Sequence, residues 1–219
     1  AHHICTGEGG MVSSDDEELI TIARQLAWWG RDCYCVGSQN LLSCGTCGKR
    51  FDKWIENYDG IIDHKYVYTQ MGYNLKPMDF QGAIGSVQVE KQDEIHYHRR
   101  LNKKRIQKHF EQIDGVHSLN ELPKAETSWF GVPIVCKDKE TKNNLAQHLE
   151  LNKIQTRNYF AGNLLMHPGY SHLDDYRKYP NASRVLDEVF FVGCSPVITD
   201  EMIDYIGIII SRFKNYLKI

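Results

Sequence analysis

The sequence predicts an α/β fold, and the strongest indications lie in its second half. An apolar, β-branched run at 132–136 is typical of a strand, and apolar residues follow it at helical spacing over 139–151. Further short strands are predicted at 153–157 and 189–193, and a helix with an apolar face closes the chain. This alternation of strands and helices predicts a compact α/β domain over residues 113–219.

The first sixty or so residues predict one helix followed by an irregular insert. Ser14 and Glu17 have the spacing of a capping box, in which each side chain bonds the backbone N–H of the other residue. Apolar residues then recur at helical spacing over 19–27, and Gly30 predicts the end of the helix. Periodicity is lost over 31–64, where glycine, cysteine and charged residues predominate, so this stretch predicts an ordered, cysteine-rich insert.

A long amphipathic helix over residues 78–112 is predicted to link the two halves of the chain. Pro77 stands where a helix begins, and Asp79 in the first turn complements the helix dipole. Apolar residues recur at helical spacing along most of this stretch. The basic run at 98–108 is interpreted as a solvated helix face.

Composition argues against several classes of protein. The chain has 219 residues and a net charge of −2, which gives no reason to expect nucleic acid or an anionic membrane as a partner. No apolar run approaches the roughly 20 residues of a membrane-spanning helix, and no signal-peptide pattern is present. The cysteines therefore favour metal binding or chemistry over a secreted disulfide scaffold, and the predicted compartment is the cytoplasm.

Four cysteines lie close together in the insert and suggest a metal centre. They are Cys33, Cys35, Cys44 and Cys47. Thiolates at this density favour zinc or an iron–sulfur cluster, and both centres accept four of them, so spacing alone does not separate the two. The remaining cysteines are interpreted as packed thiols: Cys5, Cys136 and Cys194.

The first ten residues resemble a segment of the sugar aminotransferases of the DegT/DnrJ/EryC1/StrS family. In that family a lysine that binds pyridoxal phosphate (PLP) shortly precedes a Gly-Glu-Gly-Gly-like turn. Here His2 stands at the lysine position, before the turn at 7–10. An imidazole cannot condense with the cofactor aldehyde, but its ordinary pKa of about 6.5 suits it to move protons. The resemblance therefore implies elimination chemistry with His2 as the base.

The resemblance covers nearly the whole chain and implies the fold-type I architecture of PLP-dependent transferases, which is aspartate aminotransferase-like. Residues 1–112 would be the C-terminal part of the large PLP-binding domain, including the insert at 31–64 and the linking helix. Residues 113–219 would be the small C-terminal α/β domain. Because a large N-terminal part precedes the motif in this family, the chain is expected to be the C-terminal half of a longer protein and to be inactive alone.

The cysteine segment resembles the CDP-4-keto-6-deoxyglucose 3-dehydrase (RfbH-like) branch of the family. The shared features are Asp-Cys-x-Cys and a later cysteine directly before Gly-Lys-Arg-Phe. They imply that Cys33, Cys35 and Cys47 ligate a [2Fe–2S] cluster, with zinc as the alternative. The fourth ligand is either an upstream cysteine, as in the family, or Cys44.

Three further residues lie in segments that resemble family motifs. Asn74 belongs to a Gly-Tyr-Asn segment, whose asparagine in the family reaches across a dimer to the cofactor phosphate. This implies a cofactor-binding role for Asn74 and a homodimer. Arg157 and Asn163 belong to a Thr-Arg…Phe-Ala-Gly-Asn stretch, which lies near the sugar site in the family and implies substrate binding.

The resemblance implies a dehydratase that uses pyridoxamine phosphate (PMP) to remove the 3-hydroxyl of a nucleotide-linked 4-keto-6-deoxyhexose. Its product would serve dideoxysugar synthesis for lipopolysaccharide O-antigen, and an NADH-dependent flavin/iron–sulfur reductase would deliver electrons to the cluster. Three alternatives stay open: an iron-free GDP-4-keto-6-deoxymannose 3-dehydratase-like enzyme, a nucleotide-sugar aminotransferase, and a nonenzymatic fragment with structural zinc. The cysteine cluster argues against the first, and the histidine at position 2 argues against the second.

Overall fold

The computed structural model describes residues 3–33, 51 and 55–216. They fall into two compact units, one of residues 5–87 and one of residues 88–216 together with residues 3 and 4. The predicted domain boundary after residue 112 stays a prediction. Within the described ranges, no helix combines the length and the apolar character needed to cross a membrane.

The first helix of the 5–87 unit, α1 (Glu17–Ala27), confirms the helix predicted there. Its cap differs from the prediction, because the carboxylate of Asp16 accepts the backbone N–H groups of Glu18 and Leu19 at 3.0 and 3.1 Å. The Ser14 hydroxyl instead accepts the N–H of Asp16 at 3.1 Å. Aspartate is one of the strongest capping residues, so the helix begins after it.

Two segments of the 5–87 unit cross at a pair of glycines. Gly30 has a φ of 79°, which favours glycine, and its carbonyl accepts the N–H of Thr69 at 2.9 Å. The N–H of Trp29 donates to the Tyr73 carbonyl at 2.7 Å. A Cβ on Gly72 would lie 2.0 Å from the backbone nitrogen of Gly30, so the two backbones are in direct contact. This Gly30–Gly72 crossing brings together the two ends of the stretch that contains the cysteine-rich insert.

The helix predicted over 78–112 is present as two consecutive helices, α2 (Asp79–Glu90) and α3 (Gln92–Phe110). Lys91 between them keeps right-handed angles, with φ −94° and ψ −1°, so the interruption is a single residue. The prediction of a solvated basic face is wrong for Arg99 and Lys103, because both side chains are buried and donate hydrogen bonds to backbone carbonyls.

An antiparallel sheet of four strands lies in the 88–216 unit, in the order β1-β2-β4-β3. The strands are β1 (Val116–Ser118), β2 (Gly131–Cys136), β3 (Thr156–Asn158) and β4 (Val189–Gly193). Pro133 lies in the central strand β2, opposite Phe191 of β4. It lies beyond the end of β1, whose last residue is opposite Ile134, so the missing N–H of the proline removes no β1–β2 pairing.

The core of the 88–216 unit lies between one face of the sheet and the helices α3, α4 (Lys139–Leu151) and α6 (Asp200–Tyr216). Alternate residues of a strand face opposite sides, so Phe190 and Val192 of β4 enter the core while Phe191 lies on the other face. The largest buried side chains from the helices are Ile106, Phe110, Leu145, Leu149, Ile203, Ile209 and Ile210.

The strands β2 and β4 and the helices α4 and α6 confirm four predicted elements. Strand β3 begins at Thr156 rather than at 153 because the end of α4 occupies the residues before it. Lys153 has a φ of 62°, and the N–H of Ile154 bonds back to the Leu149 carbonyl at 2.9 Å. Strand β1 and the helix α5 (Pro180–Glu188) were not predicted from the sequence.

Candidate functional site

Asn74, the predicted phosphate contact, lies directly beside the Gly30–Gly72 crossing. Its backbone pairs with Trp28 in an isolated antiparallel bridge, and its side chain is exposed. Nζ of Lys76 donates to Oδ1 of Asn74 at 2.5 Å, and the same ammonium lies 3.3 Å from the centre of the Trp29 ring. The Gly30–Gly72 crossing therefore determines the position at which the Asn74 amide contacts the Lys76 ammonium.

This pair of side chains suits an oxyanion. Nδ2 of Asn74 donates no hydrogen bond to any described residue, so it is available to a ligand. An amide donor beside a lysine ammonium can bind two oxygens of one phosphate group, and the ammonium adds charge assistance. The cofactor-binding role of Asn74 stays a prediction, and Lys76, two residues further on in the same segment, was not among the residues predicted for the site.

Cys33 is the described member of the predicted ligand set. It is 5% exposed and forms no disulfide. Its position is fixed by its neighbour Asp32, whose N–H donates to the Val67 carbonyl at 2.8 Å. Among the described residues, no group of three or more His, Cys, Asp or Glu side chains is placed to hold a metal ion.

Several residues singled out in the sequence lie outside the described residues, and their roles stay predictions. They are His2, Cys35, Cys44 and Cys47. The neighbour of His2 is described: Nε2 of His3 lies 3.3 Å from the Trp129 carbonyl oxygen in the 88–216 unit.

Arg157 lies on the edge strand β3, opposite Phe191 of β4. Directly opposed residues share a face of a sheet, so this exposed arginine and Phe191 lie on the face away from the helical core. Phe191 contacts three further rings: those of Phe130, Phe160 and Tyr159 have their centres 5.6, 6.0 and 6.3 Å from it. The face thus combines a guanidinium with a cluster of aromatic side chains.

The backbone of Phe160 is strained. Its φ is 53°, an uncommon value for a bulky residue, and its side chain is 66% exposed. The strain is maintained by a bond from its N–H to the Asn158 carbonyl at 2.6 Å and by the following turn, in which Gly162 has a φ of 62°. Strained residues of this kind cluster at ligand-binding sites.

The side chain of Asn163 is buried and forms hydrogen bonds with other residues of the chain. It is 2% exposed, and its amide nitrogen donates to the Tyr176 carbonyl at 3.0 Å and to the Ser183 hydroxyl at 2.9 Å. Its oxygen accepts the N–H of Leu165 at 3.2 Å. These bonds give Asn163 a role in holding the loop after β3, and its predicted contact with substrate stays a prediction.

Comparisons with known proteins place this architecture among the PLP-dependent aminotransferase folds. The crystal structure of Escherichia coli GDP-4-keto-6-deoxy-D-mannose-3-dehydratase with bound hydrated PLP matches with a TM-score of 0.73 and 25% sequence identity, over 95% of this chain and 51% of that chain. The chain therefore has the fold class that the sequence predicted.

The sequence comparisons define the family. The sequence pattern of the DegT/DnrJ/EryC1/StrS aminotransferase family matches residues 1–211, and the chain belongs to that family. It is 37% identical to the lipopolysaccharide biosynthesis protein RfbH of Salmonella typhimurium, over 99% of this chain and 49% of the relative. It is also 37% identical to the dTDP-4-dehydro-2,6-dideoxy-D-glucose 3-dehydratase of Saccharopolyspora spinosa, over 97% of this chain and 46% of the relative. The chain thus spans about half the length of these relatives.

Proposed function

We propose that this chain belongs to a PMP-dependent enzyme that removes the 3-hydroxyl of a nucleotide-linked 4-keto-6-deoxyhexose. The observation that carries the proposal is the 37% identity to a sugar 3-dehydratase along 97% of the chain. The histidine at position 2, where the family resemblance expects a lysine, supports dehydration over amino transfer. We place this activity in the cytoplasm, in the synthesis of deoxysugars for lipopolysaccharide.

The residues of the 5–87 unit fit the phosphate of such a cofactor. Asn74 offers an amide donor that bonds none of the described residues and Lys76 a neighbouring ammonium, and both lie beside the Gly30–Gly72 crossing. When bound, PMP supplies an amine for the keto group of the sugar and a ring that withdraws electrons. In a homodimer, Asn74 of one subunit would bind the cofactor of the other.

The chain's own residues would then bind substrate and move a proton. An imidazole nitrogen of His2 is the proposed proton acceptor, since a neutral imidazole can accept a proton near neutral pH. The exposed guanidinium of Arg157 can donate two parallel hydrogen bonds to hydroxyl or phosphate oxygens of the nucleotide sugar. The aromatic rings beside it offer an apolar surface from which water is excluded when a sugar or base lies on it.

We further propose that the cysteine-rich insert binds a [2Fe–2S] cluster through Cys33, Cys35 and Cys47. Cys33 forms no disulfide, which suits a ligand role because such clusters are held by free thiolates, and its burial would tune the reduction potential of a bound cluster. The fourth ligand is an upstream cysteine or Cys44. The partner that reduces the cluster would be an NADH-dependent flavin/iron–sulfur reductase.

The test uses the complete native protein that contains this chain, incubated with PMP, a CDP-4-keto-6-deoxyhexose, a reductase of that class and NADH as the electron donor. We expect a product that has lost the 3-hydroxyl, identified by mass spectrometry and NMR. His2→Asn should abolish this product because the base is gone. His2→Lys should abolish it because a lysine amine condenses with the aldehyde of PLP and so favours that covalently held form of the cofactor over PMP. Unchanged dehydration in His2→Asn would remove His2 from the mechanism.

Metal analysis separates the alternatives. Iron with a low-temperature electron paramagnetic resonance signal after reduction supports the cluster, and zinc in its place supports a structural module. Dehydration that persists in a Cys33→Ser variant lacking metal would point to the iron-free dehydratase. Amino transfer to the sugar by the unsubstituted protein would overturn the proposal in favour of an aminotransferase.

A further inference from the structure

Arg99 of α3 is an unusual buried cation. It is 6% exposed, and the partners of its Nη1 are two backbone carbonyls, those of Trp129 at 3.1 Å and Phe130 at 3.2 Å. Its Nε has no hydrogen-bond partner among the described residues. Burying a guanidinium costs free energy because it loses its hydration, and the two hydrogen bonds offset part of that cost. The same two bonds hold the carbonyls of Trp129 and Phe130 in one orientation.

Three side chains lie within hydrogen-bonding distance of the Trp129 carbonyl oxygen. Besides Arg99, the thiol of Cys194 donates to it at 3.2 Å and Nε2 of His3 lies 3.3 Å away. Burial raises the pKa of the Cys194 thiol to about 11, so the thiol is protonated and able to donate. A carbonyl oxygen only accepts, so the bond requires the His3 proton to reside on Nε2.

The carbonyl is also attached to a rigid part of the 88–216 unit. Trp129 lies two residues before the central strand β2, and its ring lies under the buried ammonium of Lys103, with Nζ 4.5 Å from the ring centre. Lys103 in turn donates to the Leu119 carbonyl at 2.7 Å. Anything hydrogen-bonded to the Trp129 oxygen is thereby fixed relative to the core.

We propose that His3 is a positioning residue that fixes the backbone next to the proposed base, His2, through the Trp129 carbonyl that Arg99 holds. Adjacent Cα atoms are about 3.8 Å apart, so the contact of His3 is the described constraint nearest to the proposed base along the chain. The catalytic consequence rests on the proposed function, because it requires His2 to act as the base. The anchoring itself does not depend on that role.

The first experiment measures the anchor in the complete protein that contains this chain. Long-range proton–nitrogen NMR of the histidine rings at about pH 8 should report the Nε2–H tautomer for His3. The exposed His172 serves as the internal control. The Nε2 proton of His3 should exchange with water at least about tenfold more slowly than that of His172, and Arg99→Met should remove this difference. An Nδ1–H tautomer, or equal exchange at the two rings, would overturn the proposal.

The second experiment measures catalysis in the complete protein loaded with PMP. His3→Leu should lower kcat by about tenfold to a hundredfold and change KM by less than about threefold, because a misplaced base affects the reaction more than substrate binding. His3→Gln should keep kcat within about threefold, since its amide can donate to the same carbonyl. His172→Leu should leave kcat unchanged.

The two results distinguish the anchor from the proposed function. Equal kcat values for His3→Leu and His3→Gln, in a protein that requires His2, would overturn the positioning role and leave the dehydratase proposal intact. Full activity in His2→Asn would instead overturn the base role, whatever the NMR result for His3.

Discussion

Phe110 and Phe80 are both helical phenylalanines, but Phe110 is fully buried and Phe80 is 57% exposed. The same contrast separates the two units to which they belong. The 88–216 unit has a closed apolar core, whereas the buried apolar residues described in the 5–87 unit are Cys33 and Val67. The 88–216 unit therefore derives its stability from its own packing. The 5–87 unit, which carries Asn74 and Cys33, buries few apolar side chains among its described residues.

The largest effect is expected when each of the two phenylalanines is replaced by alanine, which tests the difference in packing between the two units. Phe110→Ala should lower the free energy of unfolding by about 3–5 kcal/mol, because it opens a cavity in the core. Phe80→Ala should change it by less than about 0.5 kcal/mol. Urea unfolding followed by circular dichroism measures both, and equal losses would mean that the 5–87 unit has a comparable core.

The two predicted site asparagines provide a second matched pair. Asn163→Ala should lower the free energy of unfolding by about 1–3 kcal/mol, since it leaves buried partners such as the Leu165 N–H and the Tyr176 carbonyl without their bonds. Asn74→Ala removes an exposed side chain and should change stability by less than about 0.5 kcal/mol. In the complete protein it should instead weaken PMP binding, as measured by equilibrium dialysis. Stability losses in the opposite order would contradict the contrast.

The buried thiols Cys33 and Cys194 report on local opening of the two units. Alkylation by iodoacetamide, resolved by peptide mass spectrometry and corrected for rates in the urea-unfolded chain, should be at least about tenfold faster at Cys33. The reason is that fewer buried contacts must break to expose it. Bound metal should slow the alkylation of Cys33 and leave the alkylation rate of Cys194 unchanged. A chelator should restore the faster rate at Cys33. Faster alkylation at Cys194 would be the contrary result.

The smallest effect concerns two helix caps. The N–H of Thr141 bonds the Asp138 carboxylate at the start of α4 and lowers its pKa from the usual 3.8. A lowered folded-state pKa means that the stabilisation is present above pH 3.8 and is lost as the pH falls toward the lowered value. Asp138→Asn should therefore weaken the acid dependence of unfolding of the 88–216 unit.

The matched control is Asp16→Asn, which changes the corresponding cap of α1 in the other unit. It should leave the acid dependence of the 88–216 unit unchanged. Unfolding by urea at about pH 7, 4 and 3 measures both variants. An equal effect of the two substitutions would show that the units do not unfold separately.

The sequence predicted the elements whose signals are local. Strand β4 has the predicted bounds, and α4 follows a capping aspartate and has regular apolar spacing. The strand β1 was missed because it has three residues and an exposed histidine at its centre. The helix α5 was missed because most of its residues are polar and its start is marked only by Pro180.

Motifs suggested candidate site residues, but the sequence did not show which distant segments meet. Asn74 was proposed from its motif and its role stays a prediction, whereas the contact of Lys76 with Trp29 results from the Gly30–Gly72 crossing, which joins segments far apart in sequence. Likewise, the basic run on α3 gave no sign that Arg99 and Lys103 would be buried, because the carbonyls and ring that receive them belong to residues 119–130. The roles of His2, Cys35 and Cys47 stay predictions.

The Gly30–Gly72 crossing also bears on how such a chain can evolve. Because the two backbones touch, the residues between Gly30 and Gly72 form a closed loop. The length of this loop does not change the positions of the segments on either side of it. The entropic cost of closing a loop grows only slowly with its length. A lineage can therefore lengthen, shorten or exchange this loop in one insertion or deletion while α1 and the Asn74 segment keep their places. The cysteine-rich insert can therefore be gained or lost as one segment. Proteins with or without it must retain the two glycines, because a Cβ at either position would overlap the facing backbone.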